Sequence, residues 1–173
     1  RGFIAHVGDS RIYLVRQGLV HQLTEDHSLL NELIRRGKLR REDVETSPYA
    51  RYKNAVTRAV GAYETVEADT FDFEILPGDS FVLCSDGLHG YFKKETELAE
   101  LLGQGEEAEA PNRLIAHAND AGGHDNITAV VVCVHATDPM VYATRVSDLA
   151  AKVSALKGMP LFRHLAYKEI IRV

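Results

Sequence analysis

The sequence predicts an α+β fold with antiparallel sheets, and three observations predict it. Short stretches near the amino end alternate apolar and polar residues and are joined by glycine-containing turns, as an antiparallel meander requires. Segments with helical spacing occur at 29–34, 94–102 and 112–121. Two short apolar runs, at 81–84 and 129–134, read as strands that can be buried.

In chain order, residues 2–7 and 11–16 alternate as strands joined by the Gly8-Asp9-Ser10 turn. Gln17-Gly18 makes the next turn, and 19–23 pairs back. Asp26 or Ser28 caps a helix with Leu29, Leu30, Leu33 and Ile34 on one face and Gly37 as its stop. Residues 40–45 form a short charged helix, and 46–54, with Pro48 and two tyrosines, read as a mobile flap. The pattern at 56–60 is ambiguous, and 66–75 alternates like an edge strand. Leu76-Pro77-Gly78-Asp79 is a turn into the central strand at 81–84. Pro111 sits near the start of the second amphipathic helix, where its missing N–H costs little. The Gly122-Gly123 loop leads into a strand over 127–135. Asp138-Pro139 marks a domain end, 146–156 is a linker helix broken at Lys157-Gly158, and 160–173 starts a new unit with Phe162, Leu165, Ile170 and Val173 inward. These signals divide the chain into 1–137, 138–157 and 158–173.

Composition narrows the function classes. With 173 residues, 45% of them apolar, the chain can build one sizeable core and part of another unit. The net charge of −5, with no long block of Lys and Arg, argues against nucleic-acid binding. No apolar run is long enough to span a bilayer, and no leader peptide is visible. Cys84 and Cys133 lie in apolar runs and read as reduced core thiols of a cytoplasmic protein, with a disulfide as the alternative. The chain starts at Arg1 with a strand already under way, which predicts that its natural start lies upstream.

The candidate chemistry sits on aspartates at strand ends. Val82-Leu83-Cys84-Ser85-Asp86-Gly87 is an apolar run that stops on a carboxylate. The pattern recurs at Phe3-Ile4-Ala5-His6-Val7-Gly8-Asp9-Ser10 and at Gly122-Gly123-His124-Asp125-Asn126-Ile127-Thr128. Carboxylate oxygens on rigid supports suit hard divalent cations. By the sequence alone Asp9 reads as a simple turn residue between strands, and so does Asp79.

These stretches, together with Leu23-Thr24-Glu25-Asp26-His27-Ser28, Thr57-Arg58-Ala59-Val60-Gly61 and Leu76-Pro77-Gly78-Asp79, resemble the type 2C metal-dependent protein Ser/Thr phosphatases, the bacterial branch above all. The resemblance covers residues 2–135. It implies a four-layer αββα sandwich of antiparallel sheets, of which this chain would be the carboxy-terminal half. It implies two cations, Mn2+ or Mg2+, held in part by Asp86 and Asp125, with Asp9 helping to hold a third, more labile one. Gly87 would let backbones approach closely, and Asn126, Ser85 and Gly8 would support the ligands. His27, Ser28, Asn54 and Arg58 would belong to the flap; His27 could cap its helix, and Arg58 could anchor its base or bind phosphate. Arg35, Arg36, Lys38, Arg40 and Arg41 read as a solvated face or a substrate contact.

The implied activity is hydrolysis of phosphoserine and phosphothreonine on proteins by a water bridging the cations, with no catalytic side-chain nucleophile. Phosphoprotein substrates and a counteracting Ser/Thr kinase are the implied partners. A non-catalytic phosphatase-like scaffold is the alternative. Two departures from the pattern stand out. The family's amino-terminal half, with its phosphate-holding arginine and its Asp-Gly-x-Gly-Gly aspartate, is not here. The place four residues after Asp86, often a carboxylate in the family, is Gly90, preceded by His89. Residues 156–165 resemble the start of a cyclic nucleotide-binding domain, whose nucleotide site would lie past Val173.

Overall fold

The computed structural model describes residues 1–135 and 139–171. The expected boundary at 137/138 and the inward placing of Val173 lie outside them. The strands are β1 (Gly2–His6), β2 (Arg11–Arg16), β3 (Leu19–Gln22), β4 (Asp69–Phe73), β5 (Ser80–Cys84) and β6 (Ala129–Cys133). The helices are α1 (Leu29–Arg35), α2 (Asp86–His89), α3 (Glu95–Gly103), α4 (Ala110–Asp120), α5 (Pro139–Gly158) and α6 (Tyr167–Ile170). All strand pairs are antiparallel, in a two-stranded sheet β1-β4 and a four-stranded sheet β3-β2-β5-β6.

The predicted β2–β3 hairpin forms, with Gln17 and Gly18 both at positive φ (53° and 74°) as a two-residue primed turn demands. The predicted meander through Gly8-Asp9-Ser10 does not. β1 pairs with β4, Ile4 opposite Phe71, and loop 7–10 crosses from one sheet to the other. An alternating strand suits either sheet, so its partner is chosen by packing. Ser28, not Asp26, caps α1, its Oγ accepting the Asn31 N–H at 3.3 Å. Asp26 instead receives both Nε and Nη2 of Arg11, at 2.9 and 2.7 Å.

The large sheet is covered on two faces. Tyr13, Val82 and Cys84 pack against Leu88, Leu98, Leu114 and Ala118 of α2, α3 and α4. On the other face Leu14 and Phe81 meet Phe73, with Ile4 and Phe71 alongside, so the small sheet lies on the large one. This cover is incomplete. Val130 and Val132 of β6, paired with Leu83 and Phe81 and therefore on that same face, are 49% and 47% exposed. Phe3, on the outer face of the small sheet, is 81% exposed.

Asp79 has a larger part than its turn position indicates. It is buried, takes Nε and Nη2 of Arg16 at 2.7 Å each, and accepts the Leu76 N–H at 2.8 Å. Arg16 and Asp79 are 63 residues apart, a separation that no local pattern reports.

The expected linker helix begins earlier than 146 and runs from Pro139 to Gly158. Val146, Leu149 and Val153 face Leu19, Leu76 and Tyr167 across a pocket of about 360 Å³. Tyr167 stacks on His21 with ring centroids 3.7 Å apart and its hydroxyl lies 3.2 Å from Arg16 Nη1. Lys168 reaches Glu25 at 3.5 Å, and Ile170 is buried. No described helix is long and apolar enough to cross a membrane.

This seat is acid-sensitive. Burial, then Arg16 and Lys157, pushes the half-buried His21 down from 6.5 to about 4. Between those values the unfolded chain binds the proton and the folded one does not, so the stabilisation is complete above pH 6.5 and is lost as pH falls toward 4. The expected loss is about 2 kcal/mol, reduced for partial exposure. Protection factors of the amides at 167–171, taken relative to the intrinsic exchange rate at each pH, should fall across this window, and His21→Phe, which keeps the stack without the titration, should flatten the change.

Candidate active site

β5 ends at Cys84, Ser85 continues extended, and Asp86 opens α2. The antiparallel partner β6 is entered from loop 121–128, so Asp125 arrives at the same end of the sheet. Ser85 ties the two together. Its N–H donates to Thr128 O at 3.2 Å, its Oγ donates to Asn126 O at 3.0 Å, and the Thr128 N–H donates to Oγ at 3.1 Å.

Gly87 sets how closely these segments meet. A Cβ there would strike the Asn126 carbonyl oxygen and lie 3.3 Å from the Asp125 Cβ. Gly87→Ala should therefore push loop 125–126 away from Asp86, at a cost of about 1–3 kcal/mol. A fall in melting temperature together with faster exchange of the Thr128 amide checks this; an unchanged Thr128 amide would show that the loop yields elsewhere. Gly123 is at φ +56°, where its Cβ would meet Asn119 Oδ1 at 2.8 Å. The following N–H, of the exposed His124, donates to the Tyr91 hydroxyl at 2.8 Å.

The two carboxylates are presented alike. One oxygen of Asp86 accepts the Gly87 N–H at 2.9 Å, and one of Asp125 accepts the Asn126 N–H at 2.7 Å. Both side chains are exposed, and neither has an ion-pair partner among the described residues. The Asn126 support comes from its backbone. Half-buried Asp9 lies on the other flank, where its carbonyl accepts His89 Nε2–H at 3.0 Å. His89 is thus engaged with backbone rather than standing in for a carboxylate at Gly90. Burial, then Arg11, holds its pKa below the usual value.

Among the residues assigned to the flap, His27 is a buried imidazole. His27 Nδ1 accepts the Gly8 N–H at 3.1 Å, and Nε2 lies 3.2 Å from Asp69 Oδ2. Arg58 Nη1 donates to Asp69 Oδ1 at 2.7 Å, which ties residue 58 to the first residue of β4. Ser28 caps α1 and bridges to Val56, and Asn54 is exposed. Arg35 and Arg36 pair with Glu32, and Arg40 with Asp43. Sequence reasoning missed Asp69, Asp79 and Tyr91, whose partners are remote in the chain. Burial pushes the Cys84 thiol up to about 11, and both cysteines are free, so Cys84 is a core residue and no nucleophile.

Among the described residues, no three or more His, Cys, Asp or Glu side chains gather into a metal cage. Asp86 and Asp125 fit a divalent cation as hard, unpaired oxygen donors, but they are two where about six ligands are needed.

The family described as protein phosphatase 2C matches residues 2–127. Serine/threonine phosphatase stp of Listeria monocytogenes is 44% identical over 130 residues, covering 75% of this chain and 50% of the relative. The S. agalactiae serine/threonine phosphatase superposes with a TM-score of 0.70 at 41% identity, over 77% of this chain and 54% of that one. The catalytic domain of the serine threonine protein phosphatase PstP, solved with two manganese ions, gives 0.61 at 34% identity, over 78% and 54%. The chain spans about half the length of the curated relatives it matches.

Proposed function

The chain belongs to the protein phosphatase 2C family, and from that premise we propose that it contributes to metal-dependent hydrolysis of phosphoserine and phosphothreonine on proteins in bacterial signalling. The observation that carries this reading is the close approach, at the Gly87–Asn126 contact, of the two segments that carry the carboxylates Asp86 and Asp125. Asp86 and Asp125 would hold two divalent cations, Mn2+ or Mg2+, and Asp9 would help hold a further one. Such cations, when bound, supply positive charge against the phosphoryl oxygens and lower the pKa of water. Ser85 keeps the two carboxylate segments in register, and Gly87 leaves no side chain between them.

Two carboxylates do not complete a cation pair, and the chain matches about half of each relative. The reading therefore assigns residues 1–137 to the carboxy-terminal half of a phosphatase domain, whose other ligands and phosphate-holding arginine would come from the amino-terminal half. Phosphoproteins in the cytoplasm and an opposing Ser/Thr kinase are the matching partners. Residues 158–171, by the wording of Pro160-Leu161-Phe162, would lead toward a cyclic nucleotide sensor. A second reading, a scaffold without turnover, is favoured by Gly90 and by the engagement of His89 with Asp9.

The test joins residues 1–135 to the amino-terminal half of the Listeria stp phosphatase. Hydrolysis of a phosphothreonine peptide in Mn2+, abolished by chelator, is the expected result. A folded chimera that binds Mn2+ without turnover would establish the scaffold instead.

A further inference from the structure

We propose that His27 and Asp69 are a positioning pair that sets the Gly8–Asp9 turn against the base of the flap. The assignment of Asp9 to a cation rests on the phosphatase reading; the pairing rests on geometry alone. His27 is buried at the centre of a chain of contacts. Its Nδ1 accepts the Gly8 N–H at 3.1 Å, so that nitrogen carries no proton. The ring's single proton then sits on Nε2, facing Asp69 Oδ2 at 3.2 Å; Arg58 Nη1, 3.3 Å from the same nitrogen, then donates to Asp69 and not to the ring. The other Asp69 oxygen accepts Arg58 Nη1–H at 2.7 Å. Burial works against the Asp69 charge, yet the bonds from His27 and Arg58 hold its carboxyl below the usual range.

The backbone repeats the same connections. The His27 N–H donates to Gly8 O at 2.8 Å, and the Thr57 N–H donates to His27 O at 2.7 Å. One residue therefore fixes three segments that are remote in sequence: the Asp9 turn, the flap base at 57–58 and the first residue of β4. Gly8 is at φ +102°, a conformation that an L side chain resists and that loosens readily without an anchor. Among the described residues the Asp9 side chain makes no hydrogen bond or ion pair of its own, so its carboxylate is placed by that turn. The His6 ring, buried 4.9 Å from His27, closes the other side and leaves His27 little room to rotate. This arrangement matches an orienting carboxylate behind an imidazole, used here to aim a backbone turn rather than to move a proton.

The experiment uses the 173-residue chain in dilute solution. Nitrogen-15 spectra of the His27 ring should show Nδ1 unprotonated and Nε2 protonated near pH 7. His27→Ala should quicken exchange of the Gly8 amide about tenfold relative to the Val82 amide of β5. His27→Asn, whose side-chain oxygen reaches the place of Nδ1, should restore most of that protection. Asp69→Ala should raise Gly8 exchange several-fold, because the ring loses its orienting partner. Asp9→Ala should leave Gly8 protected, so failure of the cation reading leaves this test intact. A protonated Nδ1, unchanged Gly8 exchange in His27→Ala, or a rise shared equally by Val82 would each overturn the proposal.

Discussion

Replacing Asp86 by Ala should lower phosphopeptide hydrolysis by the chimeric domain by about a hundredfold or more, and Asp125→Ala should do the same. Each substitution removes a hard oxygen donor from cations that would have few protein ligands, so both affinity and charge stabilisation fall. Even outer contacts to metal ligands are worth about 10–100-fold, and a ligand is worth more. The fold should hardly notice. Both carboxylates are exposed and have no ion-pair partner among the described residues, so the melting temperature should stay within the range of surface substitutions, about 0.5 kcal/mol. Calorimetric Mn2+ titration and peptide hydrolysis on the same preparations separate the two effects. Asp9→Ala should act more mildly on the tightly held cations and more on rate. Near-normal turnover by Asp86→Ala and Asp125→Ala in limiting Mn2+ would remove both residues from the site.

The 173-residue chain by itself should hydrolyse the same peptide about a thousandfold or more slowly than the chimera, and it should self-associate. The first expectation follows from ligand count, since two carboxylates cannot hold two cations that repel each other. The second follows from the uncovered sheet. Leu83, Val130 and Val132 form an apolar face beside a groove of about 300 Å³ that runs along Gly2, Ile4, Phe73 and Phe81. β6 ends the large sheet, so one row of its backbone groups has no strand partner among the described residues. A charged residue on that strand should discourage edge pairing, so Val132→Lys should shift the chain toward monomer in sedimentation. Adding the amino-terminal half in trans should cover the face and restore turnover. A monomeric chain with turnover equal to the chimera, abolished by Asp86→Ala, would show that these residues hold a complete site.

The candidate aspartates could be picked out from the sequence because their signals are short. Asp86 follows β5 by two residues and Asp125 precedes β6 by four, each beside the glycine or asparagine that shapes the turn, and such turns are specified within a few residues. The β2–β3 hairpin was written in Gln17-Gly18, and the α1 terminus in Ser28 and Gly37. The flap anchor was not legible. His27 could be seen in the sequence, but Asp69 carries no local mark of its role, because a surface aspartate at the start of a strand and an orienting carboxylate look alike until the partner arrives.

The chain's own residues determined the segments, their turns and the three strand-end aspartates, since periodicity and turn chemistry act over neighbouring positions. Tertiary structure decided which strand β1 would join. It chose β4, nearly seventy positions away, over the adjacent β2, because both offer the same alternation and only the packing of Ile4 and Phe73 against Leu14 and Phe81 separates the two outcomes. It also closed the Arg16–Asp79 pair and seated Tyr167 on His21. In each case burial makes the charge or ring costly unless a particular remote partner is present, and that condition exists only once the sheets have met.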